Sequence, residues 1–260
     1  MRVDLHNHTT LCNHATGSIE EYITQAIKLK IDIFGFSDHA PMNFDQKYRM
    51  NITQKEFYEQ SILKLKEKYK NNIDILLAYE VDYLNGDYIL DEIKHANVDY
   101  LIGSVHFINK WGFDNPEFIG LYKNKDINKI WKEYFNAIEA MVKTGYFNIV
   151  GHLDLIKVFK FLPTKDIKTI ALNAMKQIKK SNMTLEINSA GFRKPIGEQY
   201  PSKQLLELAF ELDIPITFGS DAHSVDQVGL NYDKVVKLAK EIGYTSCNYF
   251  KDKTAHTTLI

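Results

Sequence analysis

Short runs of β-branched and aromatic residues alternate with longer amphipathic segments along the whole chain, and this alternation predicts repeated βα units. Strands are predicted at 3–5, 33–36, 75–79, 100–105, 147–150, 184–187 and 216–219. Helices are predicted at 18–30, 53–69, 87–95, 126–144, 165–181, 202–212 and 231–242. Seven units in series favour a parallel sheet, and seven is close to the eight that close a barrel. An open, doubly wound sheet fits the same pattern.

Two of the predicted helices have a recognisable start. Ser18 is followed by Glu21, and Thr53 is followed by Glu56. In such a capping box, each side chain accepts a hydrogen bond from the backbone N–H at the other position. We therefore expect helices to begin next to Ser18 and Thr53.

The composition excludes several classes of protein. The chain has 260 residues, of which 45% are hydrophobic, and its 32 Lys and Arg nearly balance its 33 Asp and Glu. This length fits one α/β domain spanning residues 1–260. A balanced charge gives no electrostatic footprint for nucleic acid, and no apolar run of about 18 residues exists, so we expect neither a nucleic-acid nor a membrane partner. Two cysteines and the lack of an apolar signal core predict a cytoplasmic protein.

The positions of the nine histidines are more informative than their number. Side chains that bind metals follow nearly every predicted strand: His6, His8 and His14; Asp38 and His39; Glu80; His106; His152 and Asp154; Asn188; and finally Asp221 and His223. In a barrel these strand ends converge on one face, where active sites are built. A single histidine of this kind is usually a hydrogen-bonded core residue, but chance does not explain the whole set. His95 and His256 fall outside the pattern and are assigned no role.

The donor set indicates more than one metal ion. His6 and His8 are two positions apart on a strand, so both point to the same side and can bind one ion together. Seven of the nine histidines together with Glu80 and Asp221 make nine donors, which are too many for one four-coordinate ion. A carboxylate can bridge two ions, so two or three metals are implied. Imidazole and carboxylate suit zinc, iron and manganese, and the sequence does not choose among them. Cys12 is a weak additional candidate ligand.

These residues resemble a known family. Asp4-Leu5-His6-Asn7-His8 with His14, Ser37-Asp38-His39, Glu80, His106, His152 and Asp221-Ala222-His223 together resemble the PHP family, the polymerase and histidinol phosphatase metallohydrolases. The resemblance covers nearly the whole chain and implies a distorted seven-stranded (β/α)7 TIM-like barrel with three divalent metal ions. It implies one metal on His6, His8, Glu80 and Asp221, a second on Glu80, His106 and His152, and a third on His14, His39 and His223.

Three further segments resemble the histidinol-phosphate phosphatases within that family: 103–107, 151–157 and 186–195. This resemblance implies a phosphomonoesterase that hydrolyses L-histidinol phosphate, a small-molecule phosphate ester, to L-histidinol and phosphate in histidine biosynthesis. The implied attack is by a metal-bound hydroxide at the trinuclear centre.

The remaining candidates concern substrate binding and proton transfer. Arg193 is the best candidate for the phosphate, because a guanidinium binds phosphate in a bidentate manner. Lys157 and Lys194 are weaker candidates, and Trp111 and Asp114 are candidates for the imidazole or ammonium of the substrate. The candidates for protonating the leaving alkoxide are Asp38, Asp154 and His223. The two aspartates have an alternative role, which is to orient His39 and His152.

Three other functions fit parts of the pattern. A sibling PHP phosphodiesterase that cleaves short oligonucleotides needs little more than the same metal site. A non-catalytic metal-binding regulatory module is disfavoured because no ligand is missing. An amidohydrolase also begins with HxH, but its metals are usually bridged by a modified lysine, whereas the bridging candidate here is Glu80. The sequence does not determine the oligomeric state.

Overall fold

The computed structural model describes residues 1–260, and its centre is a parallel sheet of seven strands in the order β1-β2-β3-β4-β7-β8-β9. The strands of this sheet are β1 Val3–Asp4, β2 Ile33–His39, β3 Asp74–Asp82, β4 Tyr100–Ser104, β7 Ile149–Val150, β8 Thr184–Asn188 and β9 Ile216–Gly219. Two antiparallel hairpins are added to it: β5 Phe107–Ile108 with β6 Trp111–Gly112, and β10 Ser246–Lys251 with β11 Thr254–Leu259.

The sheet closes into a barrel where β9 and the residues after it pair with the residues after β1. Leu5 N donates to Phe218 O at 2.9 Å, and His8 N donates to Ala222 O at 3.0 Å. Between these bonds, Asn7 and Ala222 form a parallel bridge. The predicted seven-stranded barrel is therefore confirmed, and the open doubly wound sheet is wrong.

Each of the seven predicted helices is present, with ends that differ by a few residues. The helices are α1 Ile19–Lys28, α2 Lys55–Tyr69, α3 Asp91–Lys94, α4 Ile127–Lys143, α5 Ile167–Lys180, α6 Lys203–Glu211 and α7 Tyr232–Ile242. Each long helix buries one face; α4, for example, buries Trp131, Tyr134 and Ile138. Such burial stabilises the fold by roughly 1.5–3 kcal/mol for each large apolar side chain. None of these helices combines the length and apolar character needed to span a membrane.

Only one of the two predicted capping boxes is present. At the start of α1, Ser18 N donates to Glu21 Oε2 at 2.7 Å and Glu21 N donates to Ser18 Oγ at 3.3 Å, which confirms the first box. The box predicted for Thr53 and Glu56 is wrong. A 3₁₀ turn at Ile52–Gln54 precedes α2, so the capping starts two residues earlier and the box forms between Asn51 and Gln54.

The hairpin of β10 and β11, which was not predicted, covers the amino end of the barrel. Its hydrogen bonds and ion pair reach the starts of four barrel strands: Lys251 Nζ to Asp74 Oδ2 (2.6 Å), Lys253 N to Asp99 O (2.8 Å), Asn148 Nδ2 to Lys253 O (3.2 Å) and Asn248 Nδ2 to Thr184 Oγ1 (3.0 Å). Phe250 adds its ring to the apolar cluster inside the barrel. This end of the barrel is therefore closed, and the functional groups lie at the opposite, carboxyl end.

Candidate metal centre

The carboxyl ends of the barrel strands bring all nine predicted metal-ligand side chains into one region. Six of them lie around the middle of the barrel mouth, and we call these the inner group: His6, His8, Glu80, His106, His152 and Asp221. The other three have their rings close together beside His8, and we call these the outer group: His14, His39 and His223.

Glu80, at the carboxyl end of β3, is the centre of the inner group. Its Oε1 is 2.8 Å from His152 Nε2 and 3.7 Å from His106 Nε2. Its Oε2 is 3.4 Å from His6 Nε2 and 3.7 Å from His8 Nε2. Oε2 also lies 3.0 Å from Nδ1 of His39, a member of the outer group. The two oxygens of Glu80 thus face different sets of histidines, which suits a carboxylate shared between two ions.

Two of the three predicted ligand sets are compact. One donor atom from each of His6, His8 and Glu80 lies within 4.8 Å of the others, and Glu80, His106 and His152 meet the same condition. Asp221 completes the first set, because its Oδ1 is 3.1 Å from His8 Nε2.

The third predicted set is divided between two clusters that share His223. Donor atoms of His8, His39 and His223 lie within 4.8 Å of one another, and so do those of Cys12, His14 and His223. The ring centroids of His14 and His39 are 5.5 Å apart. The structure therefore brings the outer histidines together less tightly than the inner ones, with Cys12 buried beside them.

The inner group has the polar atoms that a cation would satisfy. The Nε2 atoms of His6 and His8 are buried and have no hydrogen-bond partner. Both approach carboxylates, but neither is aligned for a hydrogen bond. A buried polar group without a partner costs about 1–3 kcal/mol, and clustered carboxylates repel one another. Divalent cations between these atoms would remove both penalties, so the residues fit a metal centre.

A second layer of carboxylates holds three of the inner histidines by their other ring nitrogen: Glu186 Oε1 at 2.7 Å from His6 Nδ1, Asp38 Oδ1 at 3.3 Å from His8 Nδ1, and Asp82 hydrogen-bonded to His106 Nδ1. Such a contact fixes the tautomer and the ring orientation, which leaves Nε2 for the metal. Asp38 was predicted to orient His39, but its side chain orients His8 and bonds His39 only at the backbone N–H.

Glu186 and Asp82 were missed by the sequence analysis. Both are buried acids in largely buried strands, Glu186 within β8 and Asp82 at the end of β3. That pattern alone was a signal, because acidic residues are almost never fully buried without a partner. Glu186 also accepts from His152 N at 2.7 Å and from Asn188 Nδ2 at 3.1 Å, so it links two strands of the site.

The surrounding carboxylates control protonation in the inner group. Burial lowers the pKa of His8, but the neighbouring carboxylates of Asp221 and Asp38 outweigh burial and raise it to about 9. Burial likewise opposes protonation of His106, and the charge of Asp82 raises its pKa to about 10. His8 and His106 therefore hold protons when no metal is bound.

The outer group has the opposite electrostatics. Burial and the neighbouring imidazole of His39 lower the pKa of His14 to about 4. Burial and the imidazole of His8 hold the pKa of His223 well below its usual range. These rings are anchored by backbone oxygens: His14 Nδ1 is 2.8 Å from Cys12 O, and His223 Nδ1 is 3.1 Å from Asp221 O. His14 and His223 are therefore neutral at physiological pH.

Arg193, predicted to bind phosphate, lies beside Asp221. Its Nη2 donates to Ser220 O at 2.8 Å and to Asp221 O at 2.9 Å, and its buried Nη1 has no partner. The guanidinium is thus held in place with one nitrogen free for a ligand. Lys194 is exposed and makes no side-chain contact.

Lys157 and Asp154 form a buried pair next to the inner group. Lys157 Nζ lies 3.1 Å from Asp154 Oδ2, 2.8 Å from Glu198 Oε1 and 2.8 Å from Gln199 O, so its three donors already have acceptors. Asp154 Oδ2 also accepts from Ser202 N at 2.8 Å, and burial raises the pKa of Asp154 to about 6. The predicted orienting contact between Asp154 and His152 is wrong, because the backbone turns at Asp154 with φ 68° and directs the carboxylate to Lys157 and Ser202.

The other substrate candidates lie on the hairpin of β5 and β6 and just beyond it. Trp111 is buried, packs against Tyr122 with 4.6 Å between ring centroids, and has an indole N–H without a partner. Burial raises the pKa of Asp114, while the charge of His106 lowers it, so Asp114 lies within electrostatic reach of the inner group. Trp111 therefore forms part of the wall, and Asp114 is the nearer of the two to the ligands.

Two sequence models of protein families match the chain. The model of the PHP domain matches residues 4–190, and the model described as PHP-associated matches residues 203–240. Seven of the nine predicted ligands lie within the first match, and Asp221 and His223 lie within the second.

Curated proteins are similar to the chain over nearly its whole length. A protein of Deinococcus radiodurans named probable histidinol-phosphatase is 35% identical over 244 residues, which cover 92% of this chain and 93% of that protein. The histidinol-phosphatase of Bacillus subtilis is 28% identical, and the match covers 88% of this chain and 96% of that protein.

A solved structure has the same fold. The crystal structure of histidinol phosphate phosphatase from Lactococcus lactis, complexed with zinc, L-histidinol and phosphate, matches with a TM-score of 0.80 and 23% identity. The match covers 98% of each chain.

Proposed function

Since the chain belongs to the PHP domain family, we propose that it hydrolyses L-histidinol phosphate to L-histidinol and phosphate. The observation that supports this most directly is the convergence of all nine ligand-type side chains on one barrel mouth, in a chain whose relatives are named histidinol-phosphatase. The L. lactis phosphatase, which has the same fold, was crystallised with zinc, L-histidinol and phosphate.

The metal ligands we propose are the nine side chains of the inner and outer groups. His6, His8, Glu80 and Asp221 would hold one ion, and Glu80 would share a second with His106 and His152. The outer group would hold a third ion, with Cys12 close enough to stabilise it. Divalent cations here supply Lewis acidity, because they lower the pKa of water and neutralise charge on phosphoryl oxygens.

Arg193 is the residue we propose for the phosphate. Two of its hydrogen bonds to backbone oxygens fix the guanidinium, and its free Nη1 can donate to a non-bridging oxygen. A donor fixed in advance costs no reorganisation when charge develops on the phosphate. Lys157 has no free donor, so we assign it instead to balancing the buried charge of Asp154. Exposed Lys194 is not assigned a role.

The leaving alkoxide needs a proton, and the three predicted proton donors differ in whether an oxygen or nitrogen atom of the side chain is still without a partner. Asp38 is fully engaged by His8, Thr9 and His39 N. His223 uses Nδ1 on a backbone oxygen, so a metal on its Nε2 would leave it no proton to donate. Asp154 keeps one oxygen without a partner and titrates near neutral pH, so it is our candidate for holding this proton.

The organic part of the substrate carries an ammonium group and an imidazole. Asp114 offers a carboxylate near His106, and Trp111 offers an aromatic wall with an unused N–H. We propose that these two residues contact the histidinol portion. We further propose that residues 1–260 act as one catalytic domain. Both cysteines are free, which supports placing this domain in the reducing cytoplasm.

A phosphate-release assay tests the proposed function. Metal-free protein is loaded separately with manganese, zinc or iron and is given L-histidinol phosphate, several unrelated phosphomonoesters and a nucleotide phosphodiester. We expect L-histidinol phosphate to be hydrolysed fastest with at least one metal. Equal rates on unrelated monoesters would remove the substrate assignment, and faster cleavage of the diester would favour the sibling phosphodiesterase.

A further inference from the structure

Arg49 is a buried arginine beside the inner group that has not yet been given a role. It lies between β2 and α2 and is 3% exposed. Its Nη2 is 2.6 Å from Asp82 Oδ2, and the other oxygen of Asp82 bonds His106 Nδ1. An arginine, a carboxylate and a metal-ligand histidine thus form one continuous chain of contacts.

The rest of the guanidinium is fixed by its own segment of the backbone. Nε donates to Asp45 O at 2.8 Å, and Nη1 donates to Ala40 O at 3.3 Å. The carbonyl of Arg49 accepts from Asn13 Nδ2 at 3.1 Å, which ties this segment to the turn just before His14. With three sides of the guanidinium engaged, Nη2 can point in only one direction, which is towards Asp82.

The three second-layer carboxylates differ in whether they need a charged partner to keep their orientation. Glu186 and Asp38 hold histidines whose side chains are 0% exposed, and backbone N–H groups fix both carboxylates. Asp82 holds His106, whose side chain is 13% exposed, and the structure gives its carboxylate no backbone N–H. Water can compete for a partly exposed contact, so this carboxylate alone requires a charged partner to keep its orientation.

We propose that Arg49 is a positioning residue of the metal centre: it fixes Asp82, which in turn holds His106 with Nε2 directed at Glu80 and His152. The inference rests on the proposed metal centre and adds a residue to it. Its effect is local, because Arg49 reaches the inner group only through Asp82. The ion shared by Glu80, His106 and His152 should therefore depend on Arg49, and the other ions should not.

The experiment compares Arg49→Met, Asp82→Asn, the double variant and the control Arg2→Met. Arg2 lies at the protein surface, where it contacts Asp233 and Tyr232. Each full-length protein is stripped of metal and titrated with cobalt(II) against a competing chelator, and bound metal per chain is counted by elemental analysis. We expect Arg49→Met to weaken one ion by about 10–100-fold, as losing an outer partner of a metal-bound histidine does. Arg2→Met should bind like the wild type.

The double variant tests whether Arg49 acts through Asp82. If it does, Arg49→Met should change cobalt affinity by no more than about twofold once Asp82 is already Asn, because the shared contact is gone. A full, additive effect in that background would overturn the proposal. So would unchanged affinity in Arg49→Met, or equal weakening of every ion, which would indicate a general structural role.

Two further outcomes concern a variant that does not fold and a wild type that does not bind cobalt. If Arg49→Met does not fold, Arg49→Lys replaces it. The lysine retains the charge but loses the contacts to Asp45 and Ala40. The ion shared by Glu80, His106 and His152 should therefore be weakened less in Arg49→Lys than in Asp82→Asn. Stronger weakening than in Asp82→Asn would contradict the proposal. If the wild type binds no cobalt tightly, the proposed metal centre itself fails, and that outcome is distinct from failure of the role of Arg49.

Discussion

The inner and outer groups use the same residue type in opposite electrostatic surroundings. Carboxylates raise the pKa of His8 to about 9 and that of His106 to about 10, whereas burial beside other imidazoles lowers the pKa of His14 to about 4. A metal must displace protons from His8 and His106 but meets neutral rings at His14 and His223. Histidine rings that are held by carboxylates are already oriented for a metal ion, whereas rings that are held only by backbone oxygens can reorient more easily.

This difference predicts unequal sites. The inner group combines the two carboxylate oxygens of Glu80, the carboxylate of Asp221 and four histidines, so it should hold its ions tightly and respond to pH. The outer group approaches carboxylates only where His39 Nδ1 lies 3.0 Å from Glu80 Oε2 and His223 Nδ1 lies 3.4 Å from Asp221 Oδ1, so its ion should exchange more readily. Three variants and one change of pH test this difference, in order of decreasing effect.

The largest effect should come from Glu80→Gln, which removes the charge shared by both inner ions. We expect phosphate release to fall by more than about 100-fold, since losing a ligand costs more than losing its outer partner. The control is Glu59→Gln, on α2, where Glu59 contacts Lys55 and Tyr79. Activity above a tenth of the wild type, with the fold intact by circular dichroism, would refute the bridging role.

Glu186→Gln should have the next largest effect, because it keeps every ligand but loosens His6. We expect inner-group metal affinity to fall by about 10–100-fold, while the outer ion is unaffected. Elemental analysis after dialysis against graded chelator measures both. Loss of the outer ion first would mean that Glu186 serves the outer group, contrary to its contacts.

His14→Ala should have a smaller effect, because the partly buried ring of His14 also reaches solvent and its only hydrogen bond is to Cys12 O. We expect one ion fewer per chain and a fall in turnover of roughly tenfold, because His14 would serve only the outer ion, beside which His223 and Cys12 remain. His256→Ala, in the exposed strand β11, is the matched control. A loss as complete as that of Glu80→Gln would erase the distinction between the groups.

The smallest effect concerns the stability of the metal-free protein as the pH changes. The raised pKa values of His8 and His106 give stability that is fully present below about pH 6.5 and is lost as the pH rises through about 9 to 10. The lowered pKa of His14 has the opposite sign. Its contribution is present above about pH 6.5 and is lost as the pH falls towards about 4.

Denaturant unfolding of metal-free protein at acidic, neutral and alkaline pH measures both slopes. His14→Ala should flatten the acidic side only, and His106→Gln should flatten the alkaline side only. If His14→Ala changed the alkaline side instead, the neutral state assigned to the outer group would be wrong.

The sequence predicted the barrel well because each βα unit has its own local signal. The nine candidate ligand side chains were identified at the strand ends, because polar residues directly after apolar runs can be recognised from the sequence without knowing any contact. The C-terminal hairpin was missed because β11 is almost wholly exposed, so its sequence shows no alternation of apolar and polar positions. At Thr53, a 3₁₀ turn that propensity does not reveal shifted the helix start.

The second layer of the site was harder to predict than the ligands. Glu186 bonds His6 across 180 residues, and Asp82 depends on Arg49, 33 residues earlier. Such contacts are fixed by strand register and barrel closure, which no local pattern encodes. The buried acids were visible in the sequence, but their partners were not.

Closure of the barrel also determines when the site can exist during synthesis. Ser220 N bonds Asp4 Oδ1 across 216 residues, and His8 N bonds Ala222 O in the same seam. At about 5–20 residues per second, a ribosome needs roughly 10–40 seconds to add that length of chain. For this whole interval His6 and His8 have been made but lack Asp221, so the ligand set proposed for the ion on His6, His8, Glu80 and Asp221 is incomplete. Completion of that ligand set is thereby deferred until the last strand of the barrel has been followed by Asp221.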